Sequence, residues 1–175
     1  DGLPSLCRPV TCPPLVTPEN GYLQPRHCNE TKLSVGETCH YQCKDGFVLS
    51  GNGERECSAT GTWTGVVPVC VDSVAPTIMC SDDIVVESEP GYAENLVDWN
   101  VPEAVDNSGN QVRVRAHPTV IPPEVFSIGT YRITYTAVDD YENKASCSFQ
   151  VTVQGTYSTA LDFLTMAMTR PLYVA

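Results

Sequence analysis

The 175 residues carry 21 Asp and Glu against 10 Lys and Arg, a formal charge of −11 at neutral pH, together with nine Cys, 14 Pro and 12 Gly. The acidic balance argues against nucleic acid as a partner, because phosphate binding rests on clustered Lys and Arg, and against docking on anionic lipid. The longest run free of charges and of Gly or Pro breakers falls far short of the ~20 residues of a membrane-spanning helix, so no membrane insertion is expected. The length fits one ordinary domain or two small ones, and two small cores would need covalent support. Neither a charged leader nor an initiator Met precedes Asp1, which reads as a processed protein or a fragment.

Cysteine density divides the chain. Cys7, Cys12, Cys28, Cys39, Cys43, Cys57 and Cys70 crowd the first part, and only Cys80 and Cys147 follow. Charge changes at the same place: residues 1–71 hold five basic and seven acidic side chains, residues 72–154 four and thirteen. Two domains therefore meet near residues 71–76. Read as a metal cluster, Cys39 and Cys43 would join His40 and His27, but their spacing fits no common zinc module. Dense cysteines in so small a domain indicate a disulfide scaffold from an oxidising compartment. The sequon Asn29-Glu30-Thr31 makes Asn29 a glycosylation candidate, and the localisation that follows is secreted, extracellular.

In the first domain Gly and Pro interrupt the chain too often for an amphipathic helix. Short β-like runs at 38–43 and 46–49 lie between the turn signals Asn20-Gly21, Asp45-Gly46 and Gly51-Asn52-Gly53. Trp63 is the large aromatic available to fill a small core. Cys12-Pro13-Pro14-Leu15, Pro18-Glu19-Asn20-Gly21, Tyr41-Gln42-Cys43-Lys44-Asp45-Gly46-Phe47, Gly61-Thr62-Trp63 and Pro68-Val69-Cys70 together resemble a sushi (complement control protein) module. Six cysteines can pair in many ways. The resemblance implies Cys12–Cys57 and Cys43–Cys70, leaving Cys28–Cys39 as a surplus pair that closes a short polar loop. Cys7 is then unpaired; Leu6-Cys7-Arg8-Pro9-Val10-Thr11-Cys12 looks like the end of a preceding sushi module, with residues 1–10 as its tail and linker and 11–71 as the sushi domain.

The second domain, residues 72–154, reads as β throughout. Val112-Arg113-Val114-Arg115 alternates apolar with basic residues, and Tyr131, Ile133, Tyr135 and Ala137 alternate with Arg132, Thr134 and Thr136. Cys147, Phe149, Val151 and Val153 form the last such strand, residues 84–86 the first, and Val97-Asp98-Trp99 another with Trp99 as core anchor. Several short alternating strands between Pro, Gly and Asn signals indicate an antiparallel, immunoglobulin-like β-sandwich. A Cys80–Cys147 bridge would tie its two ends together and contribute about 4 kcal/mol. Pro76-Thr77-Ile78-Met79-Cys80, Val97-Asp98-Trp99, Asp106-Asn107-Ser108-Gly109, Phe126-Ser127-Ile128-Gly129-Thr130 and Cys147-Ser148-Phe149 resemble the HYR (hyalin repeat) domain. Two departures are Ser81, where the family usually has Pro, and Glu142, where it usually has Gly before Asn143, which implies a wider turn there. The expected fold is thus all-β, a disulfide-rich sushi module followed by an HYR sandwich in an elongated arrangement.

Candidate sites are few. Asp139 with Asp140, or Asp82 with Asp83, could suggest acid–base chemistry, but neighbouring strand residues point to opposite faces and cannot straddle one substrate, so they read as solvated charge. His27, His40 and His117 stand in separate segments with no nucleophile motif, and oxidised cysteines offer no thiol chemistry. The chain reads as a non-enzyme that needs no cofactor. Calcium is the metal that hard oxygen donors would suit, with Asp72, Asp106, Asn107, Asp139 and Asp140 as loop candidates set against a reading as solvated turn residues. The pairing of the two domains is similar to that of sushi-repeat-containing proteins, which implies a secreted protein of cell adhesion or the extracellular matrix whose partners are other extracellular or cell-surface proteins. Alternatives are a fragment of a complement regulator or innate-immune receptor, and the non-catalytic arm of a secreted protease. Residues 155–175 are expected to form a poorly ordered tail; the apolar stretch 160–168 contains Asp162 and is too short to cross a bilayer, so deleting 156–175 should leave both domains folded.

Overall fold

The structure, a computed structural model, describes residues 8–156. The expectations for Cys7, for a preceding module and for the tail from residue 157 onward lie outside the described residues. Contacts divide the chain into two units, one ending at Val74 and the other beginning at Ala75.

The first unit is built from short strands: β1 (Thr11–Cys12), β2 (Gly21–Gln24), β3 (Leu33–Ser34), β4 (Thr38–Cys43), β5 (Phe47–Ser50), β6 (Glu54–Glu56) and β7 (Val69–Asp72). They make three antiparallel pieces, β2–β4–β6, β1–β3 and β5–β7, and a 3-10 turn covers Arg26–Asn29. The turn entering β2 shows why Asn20-Gly21 stands there. Asn20 takes φ +54, and a Cβ on Gly21 would lie 2.7 Å from the Gln42 carbonyl oxygen and 2.8 Å from the Cys70 sulfur, so backbone and disulfide leave room only for Gly.

The core here is Leu15, Leu23, Leu33 and Tyr41 around the sulfurs of Cys28 and Cys39. Trp63, the residue singled out for this role by its size, packs only half-buried against that cluster, because its indole N–H donates to the Pro13 carbonyl 2.7 Å away and so must stay near the surface. Tyr41, 3% exposed on the central strand β4, occupies the middle instead.

The second unit contains β8 (Thr77–Ile78), β9 (Ile84–Glu87), β10 (Glu94–Val97), β11 (Ala104–Val105), β12 (Arg113–His117), β13 (Glu124–Ser127), β14 (Gly129–Val138) and β15 (Lys144–Gln154). One layer is the sheet β12–β14–β15–β9, and the pairs β10–β13 and β8–β11 lie outside it. Val97, Trp99 and Phe126 pack against Ile133, Tyr135, Phe149, Val151 and Val153 of the large sheet. Trp99 meets Phe149 edge-on at 5.8 Å and Phe126 at 6.1 Å, and its indole N–H donates to the Tyr135 hydroxyl at 2.8 Å, so the ring is buried with its polar atom satisfied.

Three sequence expectations are corrected. The sandwich is not wholly antiparallel: β9 runs parallel to β15, from Ile84 beside Val151 to Glu87 beside Gln154, the intervening strands supplying the long crossover that parallel neighbours require. The strand expected at 97–99 ends at Val97, whose partner is Glu124; the next residue along the partner strand would be Pro123, which has no N–H for the ladder. Order also runs past Gln154, since the Thr156 hydroxyl donates to the Ser88 carbonyl at 2.6 Å.

Candidate functional site

The described cysteines form four bridges: Cys12–Cys57, Cys28–Cys39, Cys43–Cys70 and Cys80–Cys147, with Cα separations of 5.5 to 6.1 Å. Cys12, Cys28, Cys39 and Cys57 are fully buried. Neither Cys39 nor Cys43 is left to join His40 in a metal cluster. His27 and His40 instead face Glu37 and Glu54 at 3.9 and 3.8 Å, each about half exposed. Asn29 ends the 3-10 turn in an exposed position with its amide donating to the Thr17 hydroxyl at 3.1 Å.

The acidic residues have individual roles. Asp139 is 1% exposed and organises the turn between β14 and β15. One of its oxygens accepts the backbone N–H groups of Tyr141 and Asn143 at 2.8 and 2.9 Å, and the other accepts the Asn143 amide at 2.8 Å. It is therefore not the solvated charge expected of both members of the Asp139–Asp140 pair, whereas Asp140 is exposed. Burial of a carboxylate is tolerable when donors surround it in this way. Glu142, where the family usually has Gly, takes φ +66, the left-handed conformation that Gly adopts without cost, and its N–H donates to the Asp139 carbonyl at 3.4 Å.

Asp106 accepts from both the backbone N–H and the hydroxyl of Ser108, at 2.9 and 2.6 Å, the arrangement of an Asx turn. The fold brings Asp106 and Asp139 together, with an oxygen of each within 4.8 Å of the other. Asn107 beside them is exposed. Asp72, in the first unit, is buried at the end of β7 and accepts the Val74 N–H at 3.1 Å. Of the other pair, Asp83 accepts the Gln150 N–H at 2.7 Å, pinning the entry of β9 to the last strand, while Asp82 is exposed.

The outer face of the large sheet was not singled out by sequence reasoning. Arg113 stands beside Val138 and Val138 beside Lys144, so these side chains share one face, with Arg115, Thr136, Thr134 and Arg132 on the same side. Arg113 donates to Glu142 at 3.1 Å and to the Asp139 carbonyl at 3.2 Å, and Arg132 donates to the Ser148 hydroxyl at 2.7 Å. The signal was present in β12, where Arg113 and Arg115 stand two residues apart, and in the alternation of β14, which sets Arg132 on its polar face.

Residues 12–70 match the sushi repeat (SCR repeat) family and residues 71–153 the HYR domain family. Over 155 residues the chain is 38% identical to Sushi, von Willebrand factor type A, EGF and pentraxin domain-containing protein 1 of Mus musculus, covering 87% of this chain and 4% of that protein. It is 31% identical over 151 residues to the sushi repeat-containing protein SRPX2 of Xenopus laevis and 30% identical over 149 residues to the human protein SRPX, each alignment covering 85% of this chain and 31% of the relative.

Proposed function

Residues 12–70 belong to the sushi repeat family and residues 71–153 to the HYR family, and from that premise we propose that this chain is a non-catalytic, extracellular interaction module pair of a cell-adhesion or matrix protein. The observation that carries the reading is covalent: eight described cysteines are spent on four closed bridges, a construction that persists in oxidising compartments. Two further features support it. The strands present exposed loops on rigid β scaffolds, where binding residues commonly sit, and the described histidines at 27 and 40 face glutamates rather than a nucleophile. Among the described residues no helix is long and apolar enough to cross a membrane.

The test is a binding array. The full chain, secreted from cells with its bridges intact, is presented to a panel of extracellular-matrix proteins, cell-surface ectodomains and complement fragments. Saturable binding to a matrix or cell-surface protein is the expected result. Binding confined to complement fragments would transfer the pair to immune recognition, and no binding to any member would overturn the reading.

The pair is proposed to work without a cofactor. Asp106 and Asp139 stand close, yet both spend carboxylate oxygens on N–H or O–H donors of their own turns. Thermal melts with calcium and with chelator should coincide; a rise of more than about 2 °C in calcium, on the order of 0.5 kcal/mol, would assign these carboxylates to a bound ion.

A further inference from the structure

Residues 72–154 hold thirteen acidic side chains and only four basic ones, Arg113, Arg115, Arg132 and Lys144. Chance would scatter these four. The ladder gathers all of them on the solvent face of the large sheet, because they occupy alternate positions of β12 and β14 and the register place of Lys144. Lys144 and Arg113 already face Glu142. Arg115 has no ion pair among the described residues, and both it and His117 are exposed.

β12, which carries two of these cations, is also an edge. It pairs with β14 alone, and residues 113–117 make no other backbone hydrogen bond among the described residues. Its two sides differ in chemistry. Arg113, Arg115 and His117 point to the basic face, whereas Val114 and Ala116 point the other way and are half-buried. On that side lies a mainly apolar groove of about 350 Å³ lined by Val114, Ala116, Val101, Val120 and Ile121, with Arg115 at its border, and with Val101 52% and Ile121 76% exposed. An open row of N–H and C=O groups is thus flanked by cations above and by an apolar trough below.

We propose that β12 receives an extended segment of a partner protein as an added strand, with carboxylates alternating with apolar side chains. Main-chain bonds supply the attachment, and alternate side chains supply the selection. The carboxylates meet Arg115 and His117 across the ladder, and the apolar residues enter the groove beside Val114 and Ala116. A second copy fits poorly, since β12 against β12 places Arg against Arg, and like charges directly opposite are destabilising. A long polyanion fits poorly as well, because the excess of acidic groups in the domain repels it. This proposal rests on the interaction reading above and names the partner's chemistry and the strand it uses.

The probe is a fluorescein-labelled, end-capped decapeptide alternating Glu and Val, titrated with the full disulfide-bonded chain and followed by fluorescence anisotropy. It should bind at least about tenfold more tightly than the corresponding Lys–Val peptide. Methylating the backbone nitrogens along one edge of the Glu–Val peptide should weaken it about tenfold, an effect that charge attraction alone would not give. Arg115→Glu should weaken it similarly with the melting temperature unchanged, since that side chain is exposed. Absence of binding, indifference to both changes, or displacement by a heparin octasaccharide that itself survives Arg115→Glu would each overturn the proposal. If the binding array succeeds where this titration fails, the contact lies elsewhere on an interaction module; if both fail, the interaction reading goes too.

Discussion

The two units solve the problem of small size in opposite ways. The sushi unit has three bridges and a core in which two of the six central members are half-cystines, with Tyr41 as its one buried aromatic. The HYR unit has one bridge and a core whose centre is Trp99, Phe126, Tyr135 and Phe149. The difference teaches that disulfides substitute for buried apolar surface rather than adding to it. A domain of this size with few large side chains gains its stability by restricting the unfolded chain, and one with four packed aromatics gains it by removing surface from water.

The largest expected effect lies in the sushi unit. Replacing Cys12 and Cys57 together by Ala opens a separation of 45 residues and should cost about 4 kcal/mol, enough to unfold this unit at 37 °C while the HYR transition stays in place. Calorimetry of the full chain checks this, and a loss confined to a degree or two would show that the sushi core is stronger than its composition suggests.

Phe149→Ala should do the reverse. The ring is 3% exposed and touches both Trp99 and Tyr135, so truncation should cost about 3 to 4 kcal/mol in the HYR transition and nothing in the sushi one. Equal losses in both transitions would mean that the two units do not unfold independently.

A smaller effect separates packing from polar satisfaction. Asp139→Ala strips its acceptor from the N–H groups of Tyr141 and Asn143 and should lower HYR stability by about 2 kcal/mol, whereas Asp140→Ala, at an exposed position, should change it by less than about 0.5 kcal/mol. Urea titration of both variants gives the ratio. Similar losses would remove Asp139 from its role in the turn.

What the sequence made legible follows the same division. In the HYR unit, β12, β14 and β15 were plain because Ile133, Tyr135, Phe149 and Val151 alternate strictly with polar residues along a half-buried sheet. β13 was not, since Val125, Phe126 and Ile128 are all apolar while only Phe126 is buried, which erases the alternation. The end of β10 was misplaced because Val97 and Trp99 are both buried, and the ladder between them is cut by a proline in another segment. The buried state of Asp139 was invisible because its donors come from a turn whose geometry depends on Glu142 at positive φ. Trp63 misled for a related reason: size predicts burial, but the hydrogen bond to Pro13 decides depth. The basic face was readable only after the register had placed strands far apart in sequence side by side.

One measurement addresses the contrast most directly. The chain has two tryptophans, one in each unit, and both indole N–H groups are hydrogen-bonded, Trp63 to Pro13 and Trp99 to Tyr135. Each therefore gives a nitrogen-15 correlation peak that reports its own domain in the unmodified full chain. On complete reduction with a phosphine, the Trp63 peak should move to the unfolded position while the Trp99 peak stays dispersed, because the aromatic core outlasts the loss of Cys80–Cys147. Persistence of the Trp63 peak, or collapse of both together, would contradict the view that bridges hold one unit and aromatic burial the other.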